Sequence, residues 1–557
     1  MNRQYVGARY VPKFAEPVEW NENTSYESLT ICIYNNSSYT SKMPVPAGVG
    51  NPSENTKYWA RTGDYNAQVE EYRKETAVIS EKVKKLEYLN TYVTPQMFGA
   101  KGDGVTDDTE SINLAINAVK NGGTIFLPQG KYLITSGITL PVSVNLIGEY
   151  SFDNSTALRG SIIYCTDRYN PCVTLTRANL LKNIAFFYPE QAWNETKPLY
   201  EYPASIYVAQ GNIRSKIEDI LLINSYYGIN AESQHEYLVI NNVQGYVIKT
   251  GINVGFSSDI DRFKTVHFNY NTIARYSVVT NVNDFAKWTR NNGTAFTVNR
   301  MDWGILDDCF CWGYSLGFKL INTNERALIG LRLINCGADA CGQCVNMNGG
   351  KFVNIVDSFF TSFSPFDDSI TQDYAVNITG GNDFCLSNCC FWGCYNNVIN
   401  VNCDNSIISN NSFYDYGNNS KKDNRAIVLN TGNHSITGNK FKGDNDIHKF
   451  GILAMSTLQS CIISGNTFTN YSQWCVQNTT NMETLNVGIN AFNNCKKNVG
   501  VNYTTKNVVF TATSGYIPNC RINELSGSEA LSRSLFIDTA DSKLKFRDPS
   551  GIVHELY

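Results

Sequence analysis

The chain of 557 residues is long enough for more than one domain, each with its own apolar core. Its 46 lysines and arginines nearly balance 50 aspartates and glutamates, and no basic block is present, which argues against nucleic acid as a partner. Charged residues make up only 17%, and neither a signal peptide nor a membrane span of about 18 apolar residues is visible, so we expect no membrane insertion.

Residues 1–64 are predicted to form a small β-domain that is rich in aromatic rings. Five rings recur along it: Trp20, Tyr26, Tyr34, Tyr39 and Trp59. Their spacing resembles that of a small chitin-type carbohydrate-binding module, in which the apolar face of a sugar packs on a ring. The alternative, which we favour, is that the same rings form the core of the domain.

Residues 65–92 are predicted to form a helix with an apolar seam. The seam residues alternate steps of three and four, as a coiled coil requires: Val69, Tyr72, Thr76, Ile79, Val83 and Leu86. Because a lone helix of this length is marginal in water and charges surround the seam, we expect helical partners. The alternative is one amphipathic helix that lies on its own domain, and the seam does not fix the number of strands.

The segment FGAKGDGVTDDTESINLAINAV, residues 98–119, is predicted to be a turn followed by a helix. Its glycines and aspartates fit neither a phosphate-binding loop nor a calcium loop. Asp107 can cap the helix, and Glu110 can complete a capping box. The apolar stripe consists of Ile112, Ala115, Ile116 and Val119. We expect a helix from about residue 108 to residue 119 that covers the open end of the fold that follows.

Four segments in the second half share one pattern, in which an apolar or β-branched pair runs into Asn-x-Phe. They are residues 406–413, 435–441, 461–468 and 485–492. A repeat of this period, without room for a helix, predicts a parallel β-helix with one unit per turn. Its interior stack would be Phe413, Phe441, Phe468 and Phe492, and its amide ladder would be Asn411, Asn439, Asn466 and Asn490.

Looser units of the same kind run upstream, between residues 217 and 363. In two of them an aspartate stands two residues before a phenylalanine, as Asp308 does before Phe310 and Asp357 before Phe359. We therefore predict that Asp308 and Asp357 take the position that asparagine holds downstream. This assigns both aspartates a structural role.

The 17 cysteines are an odd number, so at least one thiol is unpaired. Many lie within apolar strands, where cysteine acts as a small buried hydrophobe. The single Cys-x-x-Cys pair, Cys341 and Cys344, has no second pair to complete a zinc site, and the five histidines are scattered. We expect reduced core thiols, assembly in a reducing compartment, no metal and no cofactor.

Residues 513–557 are predicted to form a small terminal β-element. The stretch SLFIDTADSKLKFRDPSGIVHELY indicates two or three short strands. Turns are expected at Ala540-Asp541 and at Pro549-Ser550-Gly551.

The segment FGAKGDGVTDDTESINLAINAVKNGGTIFLPQGKYLI resembles the entry segment of the pectate-lyase-like β-helix superfamily, in the branch of bacteriophage tailspikes and related surface-polysaccharide enzymes. With the repeats, the resemblance covers about residues 93–509, and residues 261–273 and 298–318 also resemble such proteins. It implies an all-β fold with a right-handed parallel β-helix over residues 93–512, assembled as a homotrimer.

The resemblance also implies a place in the virion, as a phage tail protein assembled in the host cytoplasm. The amino-terminal region would dock to other tail proteins, and residues 513–557 would pack around the threefold axis at the fibre tip. The expected partner is a host cell-surface polysaccharide. Two alternatives stay open: a non-catalytic receptor-binding fibre, and a secreted bacterial polysaccharide lyase or hydrolase.

A β-helix can supply a catalytic carboxyl pair without special loops. Equivalent positions on adjacent turns lie about 4.8 Å apart, and on alternate turns about twice that. Retaining glycosidases hold their carboxyls about 5–5.5 Å apart, and inverting ones about 6.5–9.5 Å. We predict Asp302 and Asp307 as the catalytic pair and Asp339 as the third choice. Loop carboxylates remain as alternatives if a groove lies between subunits: Glu232, Asp367 and Asp368.

Each of these aspartates has the alternative of an ordinary solvated or turn-capping residue. The predicted substrate-binding residues are one arginine and four rings: Arg300, Trp303, Trp312, Tyr314 and Trp288. Trp312 has the further alternative of stacking inside the helix, as Trp392 would. A lyase acting on an acidic sugar would use basic residues such as Arg262, Lys264 and Arg300, and no calcium-binding pattern accompanies them.

Overall fold

The computed structural model describes residues 3–6, 9–12, 17–63, 71–82, 92–150, 157–192, 198–276, 278–323, 326–366, 371–455, 458–478, 484–500, 507–510, 524–528, 530 and 534–556. The chain divides into two compact units, Met1–Thr91 and Tyr92–Tyr557. No helix within these described ranges is long and apolar enough to cross a membrane.

The described residues of the first unit form a hairpin, a four-stranded sheet and one helix. The strands are β1 Arg3–Val6, β2 Arg9–Pro12, β3 Val18–Glu19, β4 Ile31–Tyr34, β5 Ser37–Ser41 and β6 Trp59–Gly63, and helix α1 spans residues 71–82. The sheet, in the order β3-β4-β5-β6, has a core of Tyr26, Cys32, Tyr39, Val45 and Trp59. Three of the five rings are therefore core residues. Trp20 and Tyr34 pack against this core, with their ring centroids 5.2 Å apart.

Helix α1 carries part of the predicted seam. Within the single chain, Tyr72 is 69% exposed and Ile79 is 59% exposed. Neither of these two side chains is therefore covered by its own unit. The seam positions Val69, Val83 and Leu86 lie outside the described residues. The exposed apolar side chains keep the coiled-coil interpretation open as a proposal.

The second unit is built on one sheet whose 39 described strands pair in parallel. The first turns contain β7 Tyr92–Val93, β8 Asp103–Asp107, β9 Gly123–Leu127, β10 Gly130–Ile134, β11 Ile138–Leu140, β12 Val144–Gly148, β13 Ser161–Cys165, β14 Val173–Leu175, β15 Leu180–Phe187, β16 Ala204–Val208 and β17 Asn212–Ile213. The middle turns contain β18 Lys216–Glu236, β19 Val239–Asp259, β20 Arg262–Phe268, β21 Thr294–Met301, β22 Ile305–Trp312, β23 Leu316–Ile321, β24 Arg332–Ile334, β25 Gly337–Asp339, β26 Gln343–Asn348, β27 Asn354–Val356, β28 Phe359–Phe360 and β29 Tyr374–Thr379.

The last turns contain β30 Phe384–Ser387, β31 Cys390–Trp392, β32 Asn397–Asn402, β33 Asn405–Ser409, β34 Ser412–Tyr414, β35 Asn424–Leu429, β36 Gly432–Thr437, β37 Lys440–Lys442, β38 Lys449–Ala454, β39 Leu458–Ser464, β40 Thr467–Thr469, β41 Trp474–Asn478, β42 Thr484–Val487, β43 Ala491–Asn493, β44 Lys497–Gly500 and β45 Asn507–Phe510. From β24 onward each strand pairs with the strand three places later in the chain. Three strands therefore make one turn, and the predicted parallel β-helix is confirmed.

The predicted interior columns are present. The ring of Phe441 stacks on Phe413 and on Phe468 with centroids 4.7 Å apart in both cases, and Phe492 extends the stack at 5.4 Å from Phe468. In the amide ladder, the Asn411 backbone N–H and Nδ2 both donate to Oδ1 of Asn439, at 2.9 and 3.0 Å. Both columns follow from the spacing of one turn, which brings equivalent side chains into contact.

Asp308 and Asp357 do not occupy the ladder position, and that prediction is wrong by one residue. The upstream side chains in register with Asn411 are those of Cys389 and Ser358, and the Oγ of Ser358 accepts a hydrogen bond from the preceding turn as an asparagine would. Asp308 and Asp357 precede this position in left-handed backbone, with φ of 54° and 53°. Because side chains alternate between the two faces of a strand, the one-residue slip turns both carboxylates outward.

The helix that begins the second unit is α2, Thr109–Ala118, after a 3-10 helix at Pro95–Phe98. Its buried residues are Ile112, Ala115 and Ile116, as the apolar stripe predicts. The predicted capping box is absent, because Asp108 is the N-cap residue and its carboxylate accepts instead from the backbone N–H groups of Lys101 and Gly102. Two further helices, α3 Tyr270–Ile273 and α4 Val282–Asn292, interrupt the middle turns.

The terminal β-element is a four-stranded sheet. Its strands are β46 Glu524–Leu525, β47 Ser534–Asp538, β48 Leu544–Arg547 and β49 Val553–Glu555. The last three are antiparallel neighbours joined at the two predicted turns, where Asp538 and Asp548 accept turn N–H groups. The predicted strands and turns are therefore confirmed, whereas packing around a threefold axis remains a proposal.

The cysteines behave largely as predicted, with one exception. Fourteen described cysteines are free thiols, and eleven of these are buried. Cys165 and Cys172 form a disulfide, which the expectation of reduced thiols missed. The pair joins the last residue of β13 to the residue before β14, and the two cysteines are only seven residues apart.

Candidate active site

The outward positions of β22, β25, β31 and β34 form a row along the β-helix, which we call the aromatic row. Trp312 is in register with Asp339, and Trp392 with Tyr414. The position between Asp339 and Trp392 is Thr361, which follows Phe360 of β28. A second outward column, two residues earlier on each strand, contains Phe310, Gly337 and Phe359. The row therefore combines rings with one carboxyl group.

The rings of this face are open to solvent. Trp392 is 51% exposed and Phe359 is 53% exposed. Trp312 is half-buried because it packs against Tyr270 of α3 and Phe366, with centroids 4.7 and 6.4 Å away. Neither tryptophan stacks inside the helix, since the neighbouring interior positions are taken by Cys311 and Phe391, both fully buried. The alternative that placed Trp312 and Trp392 inside is wrong for this reason.

Asp339 is the carboxyl group of the aromatic row. Its side chain is half-buried beside Trp312, and burial raises its pKa, which a hydrogen bond from the Ala340 backbone N–H only partly offsets. A carboxyl whose pKa is raised stays protonated at higher pH, which suits it to donate a proton. Asp339 is thus the predicted site residue whose surroundings fit a general acid.

A histidine and a carboxylate meet on the same face of the β-helix. The carboxylate, Asp308, lies one turn before Asp339, and the histidine, His267, lies two turns before it. Nε2 of His267, on β20, lies 3.1 Å from Oδ1 of Asp308, on β22. Both side chains are accessible, and the His267 ring also contacts Phe310, 6.0 Å away between centroids. The sequence prediction missed this pair because it assigned Asp308 to the interior ladder. The correct strand register at Asp308 would have revealed the pair.

Asp307 is next to Asp308 in the chain, but its carboxylate contacts a different residue. It is in register with Lys264 of β20 and Ile334 of β24, and its Oδ1 accepts a hydrogen bond of 3.2 Å from Nδ2 of Asn335. No carboxylate stands in register with it on either adjacent turn. Strand register therefore gives Asp307 no partner at the spacing expected for a catalytic carboxyl pair.

Asp302 lies at a different corner of the β-helix, in the turn before β22. Its Oδ2 accepts from Nη2 of Arg300 at 2.7 Å, and the guanidinium stacks over Phe256 at 4.7 Å. Glu232 lies at the same corner, where it pairs with Arg326 and accepts from Nδ2 of Asn253 at 2.8 Å. The structure brings Asp302 and Arg300 together, but it does not bring Asp302 beside Asp307.

The remaining predicted rings have different surroundings. Trp303 is 61% exposed, in left-handed backbone with φ of 55°, so its ring is available to a ligand. Trp288 on α4 is partly buried, with Lys249 above it and Tyr226 beside it. Tyr314 is fully buried and its hydroxyl donates to the Val247 carbonyl at 2.6 Å, so its predicted role as a sugar platform is wrong. Tyr314 is instead an interior residue that links two turns of the β-helix.

Metal binding finds no support within the described part of the chain. No group of three or more His, Cys, Asp or Glu side chains there could hold a metal ion. The Cys341 and Cys344 thiols of the Cys-x-x-Cys pair are fully buried, and Cys341 lies 3.8 Å from the sulfur of Cys311. The alternative loop carboxylates Asp367 and Asp368 lie outside the described residues.

One family model and several solved structures are similar to this chain. Residues 93–306, which belong to the β-helix, match the family described as rhamnogalacturonase A/epimerase, pectate lyase-like. The crystal structure of tailspike protein 3 from bacteriophage CBA120 covers 97% of this chain and 86% of that chain, at 13% identity and a TM-score of 0.46.

Curated relatives are similar over short segments. One is "Depolymerase 1, capsule K30/K69-specific" of Klebsiella phage K5-2, 44% identical over 61 residues, which are 11% of this chain and 8% of the relative. Another is alginate lyase 7 of Azotobacter vinelandii, 55% identical over 42 residues, which are 7% of this chain and 5% of the relative. The matched segment thus covers less than a tenth of the length of either relative.

Proposed function

We propose that this protein is a bacteriophage tailspike that binds a polysaccharide on the bacterial surface and cleaves its glycosidic bonds. The observation that carries the proposal is the aromatic row, in which Trp392 and Tyr414 lie along the β-helix from Asp339 and Trp312. Exposed rings suit the apolar faces of sugars, and the turns repeat at about 4.8 Å, so successive sugars can meet successive turns. The relatives that are phage capsule depolymerases support the same function.

Asp339 is proposed as the general acid that protonates the glycosidic oxygen. Its burial beside Trp312 keeps the carboxyl protonated to higher pH than a solvated aspartate. The proton passes from the carboxyl group to the leaving oxygen as the bond to the anomeric carbon breaks. The carboxylate that remains is restored when it takes up a proton from solvent.

His267 is proposed as the base that activates the attacking water. Asp308 accepts from Nε2–H and orients the ring, which leaves Nδ1 as the acceptor of a proton from water. His267 precedes Asp339 by two turns and lies two residues earlier along the strand direction, which separates their Cα atoms by about 12 Å. That gap leaves room for a sugar and a water molecule between the side chains. Asp302 and Asp307 remain candidates for a second carboxylate.

The test uses the purified full-length protein and surface polysaccharide from a bacterium that it adsorbs to. Hydrolysis releases new reducing ends, whereas a lyase releases unsaturated ends that absorb ultraviolet light. Asp339→Asn is expected to lower the rate of cleavage about 100-fold or more, because it removes the general acid. The matched control is Asp357→Asn, an exposed carboxylate on the neighbouring turn that is outside the proposed machinery.

The outcomes separate the candidate functions. Loss of cleavage in Asp339→Asn with glycan binding retained supports the proposal. Intact binding without either kind of product in the wild-type protein would leave a receptor-binding fibre that does not cleave. Equal cleavage by Asp339→Asn and Asp357→Asn would remove Asp339 from the mechanism.

A further inference from the structure

A polar cavity of about 260 Å³ opens on the same face of the β-helix, on the turns before the aromatic row. Its lining includes Asn242 and Gln244 of β19, and Asn269, Asn271 and Arg275 on the segment that follows β20. Asn269 stands in line with the aromatic row, since the register partner of Phe268 is Cys311, the residue before Trp312. The near edge of the cavity, at Asn269, therefore precedes Asp339 by two turns, or about 10 Å.

Asp219 is the carboxylate among the residues that line the cavity, and it is paired with groups of the protein itself. Oδ1 of Asp219 accepts from Nδ2 of Asn242 at 2.7 Å, and its Oδ2 lies 3.3 Å from Nζ of Lys182. Gln244 extends this network by donating to Oδ1 of Asn242 at 3.0 Å. Lys182 also pairs with Glu218, at 3.2 Å, which lies outside the cavity lining. Both oxygens of Asp219 are thus engaged by the protein itself.

Arg275 supplies the positive charge of the cavity. Its side chain is exposed, and within the described part of the chain no carboxylate lies within ion-pair distance of its guanidinium. Asn271 and Thr272 flank it with further polar groups. An unpaired guanidinium in a partly enclosed site binds carboxylate or phosphate with two parallel hydrogen bonds, more strongly than it binds a hydroxyl.

We infer that this cavity binds an anionic sugar unit through Arg275, and that the polysaccharide cleaved at Asp339 is therefore acidic. The inference rests on the proposed function and adds the substrate class to it. The anionic group is a uronate carboxylate or a phosphate substituent, because both match the geometry of a guanidinium. A chain held in the cavity would continue past Trp312 to Asp339, two turns away.

Binding of small probes tests the cavity directly. Ligand-observed NMR with the full-length protein would compare glucuronate, glucose 6-phosphate and glucose. We expect at least one anionic probe to bind, glucose to bind less, and Arg275→Gln to abolish the difference. Binding of glucuronate alone would identify a uronate, and binding of glucose 6-phosphate alone a phosphate. Failure of both anions to bind better than glucose would overturn the inference.

Cleavage kinetics provide the second arm. Arg275→Gln is expected to raise KM for the native polysaccharide about tenfold or more while kcat changes little, because the lost contact is remote from the bond that breaks. The matched control is Lys319→Gln, which removes an exposed positive charge from β23 outside the cavity. If KM is unchanged in Arg275→Gln while the wild-type protein cleaves the polysaccharide, the inference is overturned but the proposed function stands. Absence of cleavage and of glycan binding in the wild-type protein overturns the proposed function.

Discussion

At the scale of single residues, burial and pairing decide which titratable groups matter. His235 and Asp261 are fully buried together, and the separation of 2.8 Å joins Nε2 to Oδ2. Nδ1 of the same ring lies 2.8 Å from the carbonyl oxygen of Ser233. Because both ring nitrogens face acceptors, both carry a proton, and the pair is a buried imidazolium and carboxylate. Such a pair holds two neighbouring turns in one arrangement.

The buried pair predicts a pH dependence of stability. Burial lowers the pKa of His235, but the hydrogen bond and charge of Asp261 outweigh it, so the pKa is raised. The stabilisation is therefore complete below the unfolded value of about 6.5 and is lost as pH rises through the folded pKa. We expect the free energy of unfolding in urea to fall over this upper range in the wild-type protein. A flat profile there would contradict the assignment.

His235→Gln tests the same pair by substitution. It leaves Asp261 buried without its cationic partner, and we expect the free energy of unfolding to fall by about 3–5 kcal/mol. The control is His448→Gln, which removes a partly exposed pair with Asp423 and is expected to cost about 1 kcal/mol or less. Similar losses in the two variants would mean that the buried pair is not protonated as described.

At the scale of elements, the interior ladder links one turn to the next. Asn439 is fully buried, and its Nδ2 donates to the Ile408 carbonyl at 2.9 Å and to Oδ1 of Asn466 at 3.0 Å. Its own Oδ1 accepts from the preceding turn. One side chain thus hydrogen-bonds backbone groups of neighbouring turns, which explains why asparagine recurs there.

The ladder predicts a graded response to substitution. Asn439→Ala leaves buried polar groups of two turns unpaired, and we expect a loss of about 3 kcal/mol in the free energy of unfolding. Asn439→Ser is expected to lose less, since Ser358 serves in the same column and both accepts from Cys336 and donates to Val356. Thermal or urea unfolding of the two variants provides the measurement. An equal loss in both would contradict the role of the hydrogen bonds.

At the scale of the whole molecule, the proposed trimer depends on helix α1. Tyr72 and Ile79 are exposed in the single chain at coiled-coil spacing, as expected if other copies cover them. Tyr72→Glu combined with Ile79→Glu is expected to lower the fraction of trimer, measured by sedimentation or native mass spectrometry. Val78→Gln is the control, because Val78 is also exposed, at 50%, but lies off the seam. A wild-type protein that sediments as one chain would rule out the trimer.

The sequence by itself determined the β-helix, the stacked phenylalanines and the terminal strands. These follow from a short repeat, and one turn of chain places each residue beside its equivalent, so local spacing carries the information. The same holds for the apolar stripe of α2, and Asp107 accepts from the backbone N–H of Thr109, the first residue of the helix, although Asp108 holds the N-cap position.

Only the tertiary structure decided which side chains face outward in the irregular middle turns. There the turns differ in length, and a shift of one residue exchanges interior and surface, which moved Asp308 from the ladder to the side of His267. Tyr314 was predicted to be a ligand platform and is buried, because its hydroxyl bonds the Val247 carbonyl and its ring packs near Tyr246, both on β19. The raised pKa of Asp339 and the position of Arg275 in the wall of the polar cavity likewise depend on neighbours that are distant along the chain.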